Sequence, residues 1–158
     1  MTAGRNSGAL EMVREIRAMP DRVFRALTDP GELMQWWGKR MTKARVDLRP
    51  GGKYRFDFRG PEGRPVFVAG EYRIVEPPRR LVKTWFNSMF EGVENLVEFT
   101  LEPIPGGTRL TLRHSGLERD DLFRDYESGW VEVLGYLIGW IVASAGIFAA
   151  SPGVEPRE

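Results

Sequence analysis

A strand-like alternation of apolar and polar side chains runs through the middle of the chain and constrains its fold most. It is clearest between Lys53 and Arg59, where Tyr54, Phe56 and Phe58 lie in one phase and charged side chains in the other. Six further segments have a similar strand-like pattern. The predicted strands are therefore 9–17, 43–49, 53–59, 65–75, 81–86, 96–102 and 108–114. Most connections are short and rich in glycine and proline, which predicts an antiparallel sheet with one apolar face.

Two short helices are predicted between the first and second strands. Pro20 stands where proline opens a helix, and Asp29 followed by Pro30 ends it. A second helix runs from Pro30 to the pair Trp36 and Trp37, where the following glycine ends it. The order of strand, two short helices, six strands and a long helix predicts an α+β domain.

The last helix begins near Asp120 and contains a long uncharged run. Eighteen successive residues, from Val133 to Ala150, carry no charge. Their length approaches the thickness of a bilayer, but the glycines, the lack of basic flanks and the central Trp140 argue against a membrane span. Because the apolar face of the sheet must be covered and this helix is the only element large enough, we expect it to pack on the sheet.

Composition excludes several kinds of chemistry. The 158 residues include no cysteine and one histidine, which excludes thiol nucleophiles, iron–sulfur clusters and multi-histidine metal sites; we expect neither a metal nor a cofactor. A net charge of +1 carries no signature of nucleic-acid binding. We expect a disordered start over 1–8, one domain over 9–150 and a tail over 151–158. Nothing in the start resembles a secretion signal, which predicts a cytoplasmic protein.

Several short motifs lie along the chain in a characteristic order. They are Ala18-Met19-Pro20, Thr28-Asp29-Pro30, Trp36-Trp37-Gly38, Arg49-Pro50-Gly51-Gly52, Gly70-Glu71-Tyr72, Glu76-Pro77-Pro78-Arg79-Arg80-Leu81 followed by Thr84-Trp85, His114-Ser115-Gly116-Leu117, and Gly129-Trp130. With the order of elements, they resemble the SRPBCC or START-like superfamily, and more narrowly the branch named for the activator of the heat-shock ATPase. The resemblance covers about residues 10–142.

This resemblance implies a helix-grip fold, in which a curved seven-stranded antiparallel sheet wraps around the long C-terminal helix. Two short helices lie between the first and second strands, and a deep apolar cavity lies between sheet and helix. The bulky aromatics in the inward phase predict that only a small, aromatic-walled pocket survives there. The predicted ligand-binding residues are Trp36, Trp37, Phe56, Phe58, Val68, Tyr72, Trp85, Phe99, His114, Trp130 and Leu134.

Three local features add to this prediction. Successive helical residues lie about 100° apart, so only one ring of the Trp36 and Trp37 pair can be well buried, and we expect the other to cover the cavity mouth. Gly70 inside a strand indicates a bulge or a close approach. Met89 and Phe90 are apolar in a loop, which suggests a lid or a partner contact.

His114 is the ionisable residue best placed to face inward. A structural histidine with satisfied hydrogen bonds, a hydrogen-bonding group for a ligand, and a general acid or base are all compatible with its position. The charges of the strands fall mostly in the opposite phase, so few polar groups converge inside the sheet.

The sequence therefore favours a non-enzymatic domain that binds a small hydrophobic or aromatic molecule, with no nucleic-acid or membrane partner. Two alternatives stay open: a cyclase- or hydrolase-like enzyme that uses His114 in the same cavity, and a protein-interaction module of the chaperone-activator type. The apolar end of the last helix suggests a homodimer through the region of Ile141, Ile147 and Phe148.

Overall fold

The computed structural model describes residues 4–6, 8–38, 40–90 and 94–150, with side chains over 8–38, 40–90 and 94–145. Its strands are β1 (Gly4–Asn6), β2 (Ala9–Ile16), β3 (Met41–Val46), β4 (Lys53–Arg59), β5 (Pro65–Glu76), β6 (Arg80–Asn87), β7 (Glu94–Ile104) and β8 (Gly107–Ser115). Its α-helices are α1 (Pro20–Thr28), α2 (Pro30–Trp36) and α3 (Asp120–Ala150).

The described strands form an antiparallel sheet in the order β1-β2-β8-β7-β6-β5-β4-β3. Strands β3 to β8 follow one another as neighbours, whereas the chain crosses the sheet through α1 and α2 after β2, which pairs with β8. Seven of the strands are those predicted from the alternating pattern. With the two short helices and the long C-terminal helix, they confirm the α+β helix-grip fold.

The prediction of a disordered start is wrong for Gly4–Asn6. These residues pair with residues 9–11 of β2 as a short edge strand. Gly8 turns the chain with a φ of 71°, and its carbonyl accepts a hydrogen bond from the amide of Leu117 (2.8 Å). Such an edge strand is held by backbone bonds and needs no apolar face, so its polar composition concealed it.

The two short helices form a compact pair. The Asp29 carboxylate accepts a hydrogen bond from the Glu32 amide (3.0 Å) and caps α2, whose first residue is Pro30. The indole of Trp36 donates to the carbonyl of Ala26 in α1 (2.9 Å). The buried Trp36 ring therefore fixes α2 against α1.

Helix α3 covers the apolar face of the sheet. Its buried side chains recur at helical spacing, and they are Leu122, Phe123, Tyr126, Trp130, Leu134, Leu137 and Ile141. By length and composition the helix would also pass for a membrane span, with a mean hydropathy of 1.3 within Asp120–Ala145. Because the sheet and the two short helices pack against its apolar row, α3 is the core helix of a soluble-domain fold.

A partly buried cluster around Glu32 joins α3 to the two short helices. The Glu32 carboxylate accepts hydrogen bonds from Arg22 (2.8 Å) and Arg25 (3.0 Å) of α1. It also accepts one from the indole of Trp140 (2.8 Å), and Arg22 donates to the hydroxyl of Ser144 (2.9 Å). Burial raises the pKa of Glu32, but these hydrogen bonds outweigh burial and lower the pKa overall. The indole in the uncharged run therefore has a hydrogen-bond partner inside the protein.

The dimer interface predicted around Ile141, Ile147 and Phe148 cannot include Ile141. Its side chain is fully buried in the core. The side chains of Ile147 and Phe148 lie outside the described residues. Among the described residues, the outer side of α3 exposes Val131 and Val142 instead.

Gly70 lies at the close approach between β5 and β6 that its sequence position predicted. A Cβ at this position would lie 2.0 Å from the carbonyl oxygen of Thr84, which is far inside van der Waals contact. The hydroxyl of Thr84 accepts a hydrogen bond from the amide of Glu71 (2.9 Å). Because Gly70 has no Cβ, β5 and β6 can approach closely at this point. The hydrogen bond from Glu71 to the Thr84 side chain then joins the two strands.

We expect Gly70→Ala to lower the free energy of unfolding by at least about 2 kcal/mol, because the two strands must separate to admit a methyl group. Gly135→Ala is the matched control, since a Cβ at that helical position meets nothing within 4 Å. This control should raise stability by roughly 0.5–1 kcal/mol. Urea unfolding followed by circular dichroism measures both values, and an unchanged midpoint for Gly70→Ala would contradict the close approach.

Candidate functional site

A small cavity of about 140 Å³ lies between the inner face of the sheet and α3. Strands β4, β5 and β6, helix α3 and the residue after α2 contribute its lining. The lining residues are Trp37, Phe58, Val68, Trp85, Asn87, Tyr126, Gly129, Trp130 and Val133. The wall is therefore mostly aromatic, with an amide and a phenol as its polar side chains.

Five of the eleven predicted site residues line this cavity: Trp37, Phe58, Val68, Trp85 and Trp130. The other six are buried in the surrounding core and do not line it: Trp36, Phe56, Tyr72, Phe99, His114 and Leu134. Residues 126, 129 and 133 of α3 were missed, although their spacing from Trp130 places them on one side of the helix. Asn87 was missed because it is a polar residue at the end of β6, where the sequence does not show which face of the sheet its side chain occupies.

Trp37 lines the open side of the cavity, where the cavity meets a neighbouring cleft. Its ring stacks on Trp36 with centroids 5.0 Å apart, and lies 5.8 Å from Phe58. It also reaches across to Trp130 (6.3 Å) and Trp85 (6.5 Å). The half-buried Trp37 therefore joins α2, the sheet and α3 in one aromatic cluster.

A wider surface cleft of about 530 Å³ adjoins the cavity and shares Trp37, Phe58 and Val133 with it. Its other lining residues are Gly38, Arg40, Glu132 and Tyr136. The cavity is open on one side and joins this cleft at a mouth with one guanidinium and one carboxylate. A molecule whose apolar ring contacts the aromatic wall and whose polar substituent lies at the mouth would match this arrangement.

His114 is fully buried beside the cavity, and both of its ring nitrogens have partners. The indole of Trp130 donates to Nδ1 (3.0 Å), so Nε2 carries the proton and donates to Oδ1 of Asn95 (3.0 Å). Burial lowers the pKa of His114 to about 3. The neutral imidazole therefore links α3 to β7 and β8 and has no free nitrogen for a substrate, which favours a positioning role over acid–base catalysis.

Tyr126 brings the second polar group to the wall. Its ring packs on His114 (centroids 4.3 Å apart), and its hydroxyl accepts a hydrogen bond from the indole of Trp85 (3.2 Å). Burial raises the pKa of Tyr126 to about 12, although hydrogen bonds from Trp85 and Asn87 lower it in part. Tyr126 is thus a neutral hydroxyl at neutral pH.

Lys83 of β6 is the functional candidate that the sequence did not reveal. The residues on either side of it are apolar in both strand phases, so the alternation did not show which way Lys83 points. Its side chain is only 2% exposed. The Nζ atom faces five aromatic rings at centroid distances of 4.5 Å (Tyr54), 5.1 Å (Phe56), 5.4 Å (Trp85), 5.9 Å (Phe99) and 6.0 Å (Tyr72). Burial lowers the pKa of Lys83 to about 7.

We expect Lys83→Met to raise the free energy of unfolding by about 2–4 kcal/mol below pH 7, because folding no longer removes an ammonium group from water. The folded pKa lies below the unfolded one, so the cost of Lys83 is complete below about pH 7 and disappears as pH rises towards about 10.5. The gain from Lys83→Met should shrink over the same interval.

Denaturant unfolding between pH 6 and pH 10 measures this dependence. The matched control is Lys43→Met, which replaces an exposed strand lysine and should leave stability unchanged within about 0.5 kcal/mol at each pH. A gain that does not vary with pH would show that the ammonium of Lys83 is not the destabilising group.

Comparison with known proteins supports the fold directly. Residues 17–138 match the family model of the activator of Hsp90 ATPase homolog 1-like proteins. A solved structure of a protein from Rhodobacter sphaeroides is 26% identical, with a TM-score of 0.78 over 90% of this chain and 95% of that one. No curated protein gives a significant match.

Two further solved structures resemble the chain. CalU16 from Micromonospora echinospora is 27% identical, with a TM-score of 0.67 over 84% of this chain and 75% of that one. DynU16, from the dynemicin biosynthetic locus, is 25% identical, with a TM-score of 0.75 over 88% of this chain and 49% of that one. Since the family model matches most of the chain, the chain is a member of the activator of Hsp90 ATPase homolog 1-like family, within the SRPBCC superfamily.

Proposed function

We propose that this protein binds a small hydrophobic or aromatic molecule in the cavity between its sheet and α3. The observation that carries the proposal is the unfilled space of about 140 Å³ that Trp37, Trp85 and Trp130 line together with residues of the sheet and α3. Apolar cavities of about 150 Å³ take up benzene, so this space fits one aromatic ring. A larger ligand would extend through the mouth into the adjoining cleft.

Polar groups at the wall would orient the ligand. The amide of Asn87 and the hydroxyl of Tyr126 lie on the inner wall, and Arg40 and Glu132 lie at the mouth. A few placed polar groups in an apolar pocket are typical of small-molecule sites. The chain is also similar to DynU16, a protein of the dynemicin biosynthetic locus, and this similarity supports a small organic molecule as the ligand.

The enzymatic alternative has less support. A general acid or base needs a pKa near the working pH and a free position towards the substrate. The ring nitrogens of His114 already have partners, and its pKa is lowered to about 3. We therefore keep binding ahead of cyclase or hydrolase chemistry.

A chaperone-activator role is the second candidate, because the family that matches this chain is named after an activator of the Hsp90 ATPase. It would use the exterior. In the apolar loop after β6, Met89 is 47% exposed, whereas Phe90 packs edge-on against Tyr126 (centroids 4.9 Å apart). Among the described residues of this loop, Met89 is thus the exposed apolar side chain, and the cavity remains the better supported site.

Filling the cavity tests the binding function. We expect Gly129→Leu to abolish binding of indole, because a side chain there enters open space in the cavity wall. Wild-type protein should bind indole with a measurable heat and an increase in melting temperature. Isothermal titration calorimetry and thermal unfolding provide the two readouts.

The matched control is Gly135→Leu, which adds the same side chain to the exposed side of the same helix. It should bind indole like the wild type. Equal binding by wild type, Gly129→Leu and Gly135→Leu would place the indole elsewhere and refute the cavity as its site.

A further inference from the structure

Lys83 and Tyr72 form a buried pair of hydrogen-bond donors in adjacent strands. The two residues are partners in the register of β5 and β6. The hydroxyl of Tyr72 is fully buried and has no hydrogen-bond partner among the residues that the structure describes. No hydrogen bond or ion pair joins Nζ of Lys83 to any residue that the structure describes, and burial alone accounts for the shift of its pKa.

Neighbouring groups do not supply the missing acceptor. The hydroxyl of Tyr54 already donates to the carbonyl of Thr84 (2.6 Å). His114 accepts from Trp130 and donates to Asn95. An ammonium group carries three donors and no acceptor, and a buried donor without a partner costs about 1–3 kcal/mol. The hydroxyl oxygens of Tyr54 and Tyr72 are neutral acceptors, and neither is hydrogen-bonded to Nζ. Among the described residues, the cluster therefore lacks a negatively charged acceptor for the ammonium group.

The lysine is one ring away from the proposed ligand cavity. The indole of Trp85 lies 5.4 Å from Nζ and also lines the cavity. On the other side, Phe56 lies 5.1 Å from Nζ and 5.6 Å from Trp37, a further lining residue. The indole of Trp85 donates to Tyr126 (3.2 Å) and separates the cavity from Nζ, so a substituent on the ligand reaches Lys83 by displacing this indole.

We infer that the ligand is a small aromatic monocarboxylic acid, whose carboxylate pairs with the ammonium of Lys83 and accepts a hydrogen bond from Tyr72. This inference rests on the proposed binding function and names its ligand class. The five rings around Nζ stabilise the cation, and the ligand supplies the counter-ion that the described residues lack. An aromatic alcohol or amide of the same shape would leave the charge unpaired.

The lowered pKa of Lys83 gives this pairing a measurable signature. The titratable side chains that face the cluster are Tyr54 of β4, Tyr72 of β5, His114 of β8 and Tyr126 of α3. Their pKa shifts keep all four neutral between pH 6 and pH 8. A carboxylate beside Lys83 favours its ammonium form and raises the pKa of about 7, so binding at pH 8 should take up about one proton.

The experiment compares 3-phenylpropionate with 3-phenylpropanamide, which have the same ring and chain but differ in charge. Calorimetry at pH 6.5 with wild-type protein should show the acid binding at least about tenfold more tightly than the amide. In Lys83→Met the acid should lose this preference, while the amide binds within about twofold of its wild-type affinity. Circular dichroism verifies that the variant is folded.

A second measurement uses the wild type alone. Titration of the acid at pH 8 in two buffers with different heats of ionisation gives the number of protons taken up. We expect about one for the acid and none for the amide.

The outcomes separate the ligand class from the binding function. If the amide binds as tightly as the acid, or the acid keeps its preference in Lys83→Met, or no proton is taken up, the carboxylate inference is wrong while cavity binding stands. If neither compound binds and indole also fails, the proposed binding function is wrong and the inference falls with it.

Discussion

The burial of one face of an antiparallel sheet by a single helix is the constraint on which the rest of this structure depends. Strands β3 to β8 follow one another along the chain, so their inward side chains form one continuous apolar surface. Helix α3 must cover it, and the uncharged run that begins at Val133 supplies the required apolar length. Polar ties hold both halves of the helix: Trp130 through His114 near its middle, and Trp140 through Glu32 towards its end.

Large rings between sheet and helix determine what remains of the interior. The indoles of Trp37, Trp85 and Trp130 contact one another, with centroids 5.3–6.5 Å apart, and together form part of the cavity wall. The cavity volume of about 140 Å³ corresponds to one aromatic ring rather than a lipid chain. Among the described residues, polar groups inside are few. The Tyr72 hydroxyl and the Asn95 amide nitrogen are buried there without a hydrogen-bond partner, and Nζ of Lys83 faces aromatic rings rather than a carboxylate.

The resemblance to the SRPBCC superfamily implied the helix-grip fold and its aromatic pocket. The alternating pattern was sufficient to predict seven strands, and proline, glycine and helical spacing predicted the three helices, because side-chain period follows directly from backbone geometry. The alternation also placed Phe58 on the inward face of the sheet. It could not direct Lys83 inward, since both phases of β6 are apolar, nor anticipate that side chains would occupy both nitrogens of His114. Such contacts depend on which strands become neighbours and on side-chain rotation, and neither follows from local spacing.

A crystal soaked in iodobenzene tests directly whether the space between the sheet and α3 is a ligand site. The anomalous signal of iodine distinguishes the probe from protein and solvent atoms and marks its position. An iodine peak among the rings of Trp37, Trp85 and Trp130, in a cavity otherwise unchanged, is the predicted result. Rings that have closed the space, with no iodine peak between the sheet and the helix, would contradict the existence of the site.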